Sequence, residues 1–244
     1  MEIRHDVWLS TALARDVFRV DHTADPDDGT GALEEHMVPR PNAMYVAKID
    51  TTAMHRVAAL SALGFSVVDV QMTFGATPCA VRPMANDTVI VECAVPADHA
   101  PVLDVAGSCF RYSRFHLDPS IPDLLAHSVK RAWIASYLEK RRGDSLLVAR
   151  VRGEVAGFLA AMTADGGRGR TATIDLIGVA ASLQRQGVGA ALVRAFATRY
   201  VDNAELVVGT QAANIPSIRL YERLGFRLTG SAYVLHCHVP PVAP

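Results

Sequence analysis

The sequence predicts an α/β protein with a mixed central sheet and helices on both of its faces. Three observations predict this class. Apolar runs typical of strands alternate with helical patterns through most of the 244 residues. A β-hairpin pattern in the second half is followed by alternating strands and helices, an order that mixes antiparallel and parallel neighbours. Half of the residues are apolar and 20% are charged, as in proteins with a substantial core.

Composition and charge exclude several classes of function. The formal net charge of −1 gives no global field for binding nucleic acid or an anionic membrane. No segment approaches the roughly 18 consecutive apolar residues of a membrane span, and the first residues do not run into an apolar stretch of signal-peptide length. The four cysteines show no metal-ligand spacing. We therefore expect reduced thiols, a cytoplasmic location and no bound metal.

The first part of the chain, residues 1–84, is predicted to form a small α/β unit. Residues 44–49 and 65–74 have strand patterns, and Thr51 is a candidate N-cap for the helix between them, which ends before a glycine. Residues 21–42 are rich in glycine, proline and aspartate and are predicted to form a loop. Residues 75–86 contain two prolines and little periodicity, so we place a domain boundary there.

The second part, residues 85–240, has the clearer pattern, and residues 241–244 form a short tail. Pro122 stands where the first turn of a helix accepts proline, and residues 152–154 separate two apolar runs as the turn of a hairpin. The predicted elements are strand 89–94, helix 98–107, helix 122–143, strands 146–151 and 155–162, strand 171–179, helix 187–200, strand 206–210, helix 214–224 and strand 226–236.

An internal echo connects the two parts. Residues 57–65 and residues 218–226 both have the pattern of a helix, a glycine stop and the start of a strand. Coincidence is one explanation, because Leu-Gly-Phe is a common helix exit, and duplication is the other. If the chain contains a duplication, Leu60 stands where Tyr221 stands. We then expect the first copy to lack a Gly-x-Gly loop and to be structural.

The most informative local pattern is Gln184-Arg185-Gln186-Gly187-Val188-Gly189, between a predicted strand and a predicted helix. The first amides of a helix lack internal partners, and the helix dipole adds positive charge at the same end. Two glycines remove the side chains that would keep an anion away, so this junction is a candidate diphosphate site. A Walker loop would need lysine after the second glycine, and a dinucleotide fingerprint would need glycine in place of Leu192.

Together with the sequence from Asn214 to Phe226, this loop resembles the acyl-CoA-binding signature of the GNAT superfamily of N-acyltransferases. The match consists of the Gln-x-x-Gly-x-Gly loop and a downstream pattern of Asn, a small residue, Tyr and Gly-Phe, within about residues 87–238. The resemblance implies the GNAT fold for residues 85–240 and a partial, degenerate GNAT unit for residues 1–84. It also implies acetyl-CoA, or another short acyl-CoA, as cosubstrate and a primary amine as acceptor.

The same resemblance implies roles for individual residues. The strand ending at Val179 would bind the pantetheine arm through its backbone and polarise the thioester carbonyl. Tyr221 would protonate the leaving thiolate, because a phenol with a pKa near 10 stays protonated at neutral pH. Asp175 is a candidate base on the face of Ile177 and Val179; the alternatives are a solvated strand residue and a proton relayed by water. The residues expected to bind acyl-CoA are Ile177, Gly178, Val179, Gln184, Arg185, Gln186, Gly187, Val188, Gly189, Ala190, Asn214, Ser217 and Tyr221.

A further resemblance narrows the acceptor. Residues 112–119 and 210–214 are similar to segments of the acyltransferases that modify dTDP-linked amino sugars, the TDP-fucosamine N-acetyltransferase group. In the first segment an arginine can pair with a diphosphate, two aromatic rings can stack on a base or sugar, and a histidine can bond a hydroxyl. The alternative is a surface loop that its aromatic residues fix to the core. The residues expected to contact the acceptor are Tyr112, Arg114, Phe115, His116, Thr210 and Gln211.

Other functions stay open at this point. The acceptor can be another small amine or a protein N-terminus, and the chain can be a non-catalytic acyl-CoA-binding protein, against which Tyr221 argues. The expected partner is a small-molecule amine, with a homodimer as one option and without nucleic acid or membrane. His236 and His238 share one face of the last strand without an evident fourth ligand, which favours no metal. Residues 140–142 are interpreted as a solvated, basic helix end.

Overall fold

The computed structural model describes residues 2–21, 30–81, 88–166 and 169–241. Its helices are α1 (Val7–Leu13), α2 (Thr30–Met37), α3 (Met54–Ala62), α4 (His99–Ala106), α5 (Asp123–Leu138), α6 (Val188–Arg199) and α7 (Ile215–Arg223). Its strands are β1 (Glu2–His5), β2 (Val17–Asp21), β3 (Met44–Asp50), β4 (Ser66–Ala76), β5 (Val89–Cys93), β6 (Ser145–Val151), β7 (Glu154–Gly166), β8 (Gly169–Val179), β9 (Glu205–Gln211) and β10 (Arg227–His238).

These strands form one sheet in the order β1-β2-β3-β10-β4-β9-β8-β7-β6-β5. The pairs β2–β3 and β8–β9 are parallel, and the remaining neighbours are antiparallel. The predicted α/β class with a mixed central sheet is therefore confirmed.

The sheet continues across the boundary predicted within residues 75–86. Strand β4 belongs to the predicted first unit but lies between β9 and β10, and β10 lies between β3 and β4. Each predicted unit thus completes its part of the sheet with a strand from the other. Residues 82–87 of the boundary and residues 242–244 of the tail lie outside the described residues. The division at residue 84 stays a proposal.

The two halves of the sheet share an order of elements, and each contains one parallel ladder of four residue pairs. Strand β2 pairs with β3 in parallel up to Val20 and Ala47, and β8 pairs with β9 in parallel up to Ile174 and Val208. A helix and a central strand follow in each case, first α3 and β4, then α7 and β10. This correspondence favours duplication as the explanation of the internal echo.

One expectation about the first copy was wrong. Helix α2 begins at Thr30, which stands between two glycines in the sequence Gly29-Thr30-Gly31. Helix α6 begins in the same way at Val188, between Gly187 and Gly189. The first copy therefore has a Gly-x-Gly sequence. The residues before it are Asp25-Pro26-Asp27-Asp28, in contrast to Gln184, Arg185 and Gln186 in the second copy.

Most predicted elements of the second part are present with ends that differ by a few residues, whereas the beginning of the chain was predicted poorly. No periodicity indicated β1, α1 or β2, because elements this short contain too few periods of the hydrophobic pattern. Helix α2 occupies part of the loop predicted over residues 21–42, and residues 22–29 lie outside the described structure. Thr51 does not cap α3, which begins at Met54; its Oγ1 instead lies 2.8 Å from Ser231 Oγ of β10.

The helices cover both faces of the sheet. On one side, here called the α6 face, α6 and α7 pack on a cluster that includes Phe74, Leu192 and Val208. On the other side, called the α5 face, α4 and α5 pack around Ile134 and Phe158, and α1 extends this cover. Among the described residues, none of the helices combines the length and the apolar character that a membrane span requires.

Candidate active site

Strands β8 and β9 run side by side and then separate. Their ladder ends at Ile174 and Val208, although β8 continues to Val179 and β9 to Gln211. A β-bulge marks the point of separation, because Asp175 is an extra residue of β8 in its pairing with β7. Bulges increase the local twist of a strand. A slot therefore opens between the two strands, and within the described part of the chain no other strand pairs with the edge of β8 that faces β9.

The bulge also changes the direction of the Asp175 side chain. Its carboxylate accepts hydrogen bonds from Trp133 Nε1 at 2.8 Å, Tyr137 OH at 2.7 Å and Arg142 Nε at 2.7 Å, all on the α5 face. Ile177 and Val179 pack on the opposite, α6 face. The expectation that all three share a face was wrong, because strict alternation fails at a bulge.

These contacts disfavour Asp175 as a general base. Burial opposes its ionisation, but the hydrogen bonds from Arg142, Trp133 and Tyr137 outweigh that effect and hold the pKa of Asp175 below its ordinary value. A carboxylate with a low pKa and occupied lone pairs is a weak proton acceptor. The residue instead fixes β8 to α5, and Arg142 is an anchor rather than part of a solvated helix end.

Gly178 allows β8 to pass close to the segment between α4 and α5. A Cβ atom at this position would lie 2.7 Å from Cys109 Sγ and 2.8 Å from the ring of Phe158. Real Cβ contacts are not that short, so any larger residue would push the strand away. Glycine therefore sets the position of the open edge from Ile177 to Val179.

The glycine loop lies between the end of β8 and α6. A 3₁₀ turn at Ala181–Leu183 precedes exposed Gln184, Arg185 and Gln186. Arg185 and Gly187 have left-handed φ angles of 62° and 85°, which turn the chain into α6. The first turn of α6 contains no acidic residue. Unpaired amides and the helix dipole thus favour an anion there, and the diphosphate site stays a prediction.

Within the first turn of α6, the backbone is the part that remains available. Val188 and Ala190 are buried in the core, so only their amides can serve a ligand. A Cβ atom at Gly189 would lie 3.3 Å from Leu220 Cδ2 and 3.9 Å from Val179 Cγ2. This close contact connects the loop to α7 and to the end of β8, which brings the anion site and the slot together.

Helix α7 follows the other wall of the slot. Asn214 stands after β9 and caps the helix, since its Oδ1 accepts from the Ser217 amide at 3.3 Å. This contact leaves the Asn214 amide NH₂ free to donate, consistent with the role expected toward a pantetheine chain. No side-chain hydrogen bond of Ser217 is evident among the described residues.

Tyr221 lies on the inner face of α7. Its side chain is 2% exposed, and its ring lies 6.0 Å from those of Phe74 and Phe226. The hydroxyl makes no hydrogen bond to a described residue. Its oxygen is not completely buried. Burial raises the pKa of Tyr221, so the phenol stays protonated at neutral pH. These properties agree with the general-acid role predicted from the sequence.

The segment between α4 and α5 does not present all of its predicted contact residues. Phe115 is 1% exposed and belongs to the core under α1, so its ring supports the loop instead of stacking on a ligand. His116 is held on both sides, with Nδ1 2.6 Å from Ser113 Oγ and Nε2 3.1 Å from His127 Nδ1. Burial and His127 lower the pKa of His116 to about 4. Tyr112, 37% exposed, stays accessible.

Two cations lie on the α5 face, the half-buried Arg114 and the buried Lys130. Neither forms an ion pair with a described residue. The guanidinium of Arg114 lies 4.8 Å from the centre of the Phe115 ring. Lys130 is 7% exposed, and its Nζ lies 4.9 Å from the centre of the Trp133 ring. Burial lowers the pKa of Arg114 to about 10 and that of Lys130 to about 8, and the charge of Arg114 adds to the effect on Lys130. Buried cations of this kind favour an anionic ligand.

Thr210 and Gln211 point to opposite faces of the sheet. Thr210 is buried opposite Met72 on the α6 face, whereas Gln211 is paired with Gln71 on the α5 face. Only Gln211 therefore reaches the side of Arg114. Asp69 lies two residues from Gln71 on the same face of β4, and the Gln211 side chain acts to lower the pKa of Asp69.

Sequence reasoning missed Asp69 and Lys48, which belong to the predicted first unit. Asp69 is 7% exposed, and burial raises its pKa to about 6. Partial burial and the charge of Arg114 lower the pKa of Lys48. The sequence does show that Asp69 and Gln71 are polar residues at alternate positions of an otherwise apolar strand pattern. Their proximity to Arg114 could not be predicted, because it depends on the position of β4 between β9 and β10.

The two histidines of β10 lie on either side of Asp118. His236 Nδ1 donates to Asp118 Oδ2 at 2.6 Å and His238 Nε2 donates to the same atom at 2.8 Å. Burial lowers the pKa of His236 to about 4, so the ring is neutral at neutral pH. These three residues can in principle hold a metal ion. However, metal-bound imidazoles normally donate their second N–H to a partner, and the far nitrogens of both rings have none among the described residues. The geometry favours a hydrogen-bonded clamp that ties the α4–α5 segment to β10.

Comparison with known proteins gives an independent view of the second part. Residues 109–226 match the family model described as "Acetyltransferase (GNAT) family". Over 147 residues the chain is 28% identical to the spore coat polysaccharide biosynthesis protein SpsD of Bacillus subtilis (strain 168). The alignment covers 58% of this chain and 48% of SpsD, so the chain matches about half the length of this curated relative.

Similar solved structures extend over nearly the whole chain. A GCN5-related N-acetyltransferase from Kribbella flavida has a TM-score of 0.61 at 17% identity, covering 91% of this chain and 81% of that one. A tandem GNAT protein from the clavulanic acid biosynthesis pathway has a TM-score of 0.62 at 14% identity, covering 93% and 76%. At these identities the likeness shows the fold, and it confirms the GNAT fold expected from the sequence.

Proposed function

We propose that the protein transfers an acyl group, most simply acetyl, from acyl-CoA to the amine of a nucleotide-linked amino sugar. The match of residues 109–226 to the acetyltransferase (GNAT) family model supports acyl transfer. The observation that supports acyl transfer best is the slot that opens between β8 and β9 after Ile174 and Val208. Its surroundings supply a diphosphate loop, an unpaired strand edge and a protonated phenol.

In this proposal the donor lies along the slot. Its diphosphate binds the amides that begin α6 at Gly187 and Gly189, where no acidic side chain competes. The pantetheine arm pairs with the open edge of β8 as an added strand would, and Asn214 donates to it from the far wall. An amide of β8 polarises the thioester carbonyl as the tetrahedral intermediate forms.

The chemistry is a direct attack by a neutral amine on the thioester carbon. Holding donor and acceptor together supplies much of the rate enhancement, because effective molarities of oriented reactants reach ~10⁵ M or more. Tyr221 then gives its proton to the thiolate as the C–S bond breaks. Its buried phenol suits that step, since a raised pKa keeps it protonated until a strong base develops next to it.

In this proposal the acceptor binds on the α5 face of the sheet, on the side opposite to Tyr221. Arg114 and Lys130 offer positive charge that forms no ion pair with a described carboxylate, and Tyr112 offers an exposed ring. A diphosphate matches two adjacent cations, and a base or sugar matches an aromatic ring. The similarity to a polysaccharide biosynthesis protein supports a sugar-linked amine, although it covers about half of that relative.

A screen of free-thiol release tests the proposal. Acetyl-CoA is mixed with the full chain and with single amines: dTDP-linked amino sugars, polyamines, amino acids and peptides with free N-termini. We expect release above background with a nucleotide-linked amino sugar. Turnover with peptides alone would assign the protein to N-terminal acetylation. Tight acetyl-CoA binding without turnover on any amine would indicate a non-catalytic acyl-CoA-binding protein.

A further inference from the structure

Asp69 is an unusual residue for the centre of a sheet. It lies on β4, paired with Val234 of β10, and only 7% of its surface is exposed. No ion pair within 4.0 Å joins it to a cation of the described residues, although the charge of Arg114 acts on it from farther away. A buried carboxylate without a direct counter-ion costs stability, so its presence suggests a function.

The surroundings of Asp69 place it beside the proposed acceptor site. Gln211, the last residue of β9 and thus of one wall of the slot, is paired with Gln71, which lies two residues from Asp69 on the same face of β4. Arg114, from the α4–α5 segment, is the charged group that lowers the pKa of Asp69, and Arg114 is in turn influenced by Asp6, Arg19 and Lys48. Among the described residues, Asp69 is thus a buried carboxylate without a salt bridge, whereas Asp175 is fully engaged.

We infer that Asp69 binds the ammonium form of the acceptor and removes its proton before acyl transfer. The inference rests on the proposed acyl transfer to an amine, but not on the identity of the sugar. It assigns the base of a reaction in the second unit to a strand contributed by the first, which only the exchange of β4 and β10 makes possible.

The proton balance of the reaction closes with this assignment. Asp69 takes one proton from the ammonium and becomes a neutral carboxylic acid. The amine nitrogen forms its bond to the thioester carbon, the C–S bond breaks, and Tyr221 transfers its proton to the leaving sulfur. The amide nitrogen loses its second proton to solvent or to the tyrosinate, and Asp69 returns its proton to water. Free CoA thiol and the amide are the products.

Burial gives Asp69 the right basicity. Burial, opposed by the Val70 amide, Arg114 and Gln211, raises its pKa to about 6. At neutral pH the residue is therefore ionised but is a better proton acceptor than an exposed aspartate. The same shift carries a cost in stability: because the folded state has the higher pKa, the folded protein loses stability as pH rises from about 4 to 6 and does not regain it above.

The substitution Asp69→Asn tests both consequences in the full chain. We expect kcat to fall at least 100-fold with the amine that supports turnover, while acetyl-CoA affinity changes less than twofold. The acidic limb of the kcat/KM profile near pH 6 should disappear in the variant. Raising the pH should reduce the difference in rate between the variant and the wild type, because more of the amine is then neutral. We also expect the variant to melt at a higher temperature than the wild type at pH 8. The control is Asp50→Asn, which removes an exposed carboxylate of β3 and should neither lower kcat nor raise the melting temperature.

Each result decides the inference. An unchanged kcat in Asp69→Asn, or a lower melting temperature at pH 8, would assign Asp69 a structural role and overturn it. If dTDP-linked amino sugars are not acylated but another amine is, only the proposed acceptor is wrong. The rates of the wild type and of Asp69→Asn are then compared with that other amine. If no amine is acylated, the proposed function fails, and Asp69 as its base fails with it even if the melting temperatures behave as expected.

Discussion

Ile174 and Val208 form the last residue pair that joins β8 to β9. Beyond this pair the strands separate, because Asp175 bulges out of β8 and is held by Trp133 and Tyr137 of α5. Everything proposed for the donor depends on that separation. The diphosphate loop, the open strand edge and Tyr221 are arranged around the slot that it creates.

The general-acid role of Tyr221 predicts a selective effect on turnover. In Tyr221→Phe the ring still fills its position between Phe74 and Phe226, so the fold and the affinity for acetyl-CoA should persist. Loss of the proton donor should lower kcat by about 10²–10³-fold. Steady-state kinetics and calorimetry with CoA would measure the two effects. Normal turnover in this variant would remove the acid role.

The glycine loop offers a comparison within one chain. Gly189→Asp places a carboxylate where the diphosphate is proposed to bind and should weaken acetyl-CoA binding by at least tenfold. Gly31→Asp makes the same change at the corresponding position of the first unit, where a Cβ atom meets nothing within 4 Å. This control should leave affinity unchanged. Equal losses in both variants, measured by calorimetry, would contradict the assignment of the donor site.

The unpaired cations predict an effect confined to the acceptor. Arg114→Ala and Lys130→Met should each raise the KM for a diphosphate-bearing acceptor, by a factor corresponding to about 1.5–3 kcal/mol for a charged hydrogen bond. The KM for acetyl-CoA should stay the same. An amine without a phosphate provides the matched control, because its KM should change little. If both acceptors respond equally, the cations do not recognise phosphate.

The ion pair of Asp175 with Arg142 predicts a stability effect. Asp175→Asn should destabilise the fold by about 1–3 kcal/mol at pH 7, a value below that of a fully buried pair because Arg142 is partly exposed. Since the pKa of folded Asp175 is depressed, this contribution is present above the ordinary aspartate pKa and is lost as the pH falls below it. Urea unfolding at pH 7 and pH 3 measures the difference. A large fall in kcat without destabilisation would restore Asp175 as the base.

Much of this protein is encoded locally. The order of strands and helices in the second part, the anion site and the residues Asn214 and Tyr221 were predicted from the sequence, because periodicity, glycine and helix termini act over a few residues. The roles of these site residues stay proposals.

Only the tertiary structure decided how the two parts combine and which side chains meet. The bulge reverses the direction of Asp175, the core takes Phe115, and the exchange of β4 and β10 carries Asp69 to Gln211. Such contacts depend on strand order and register, which join residues far apart in the chain. A local pattern can specify the faces of a strand, but it does not specify the neighbours of that strand.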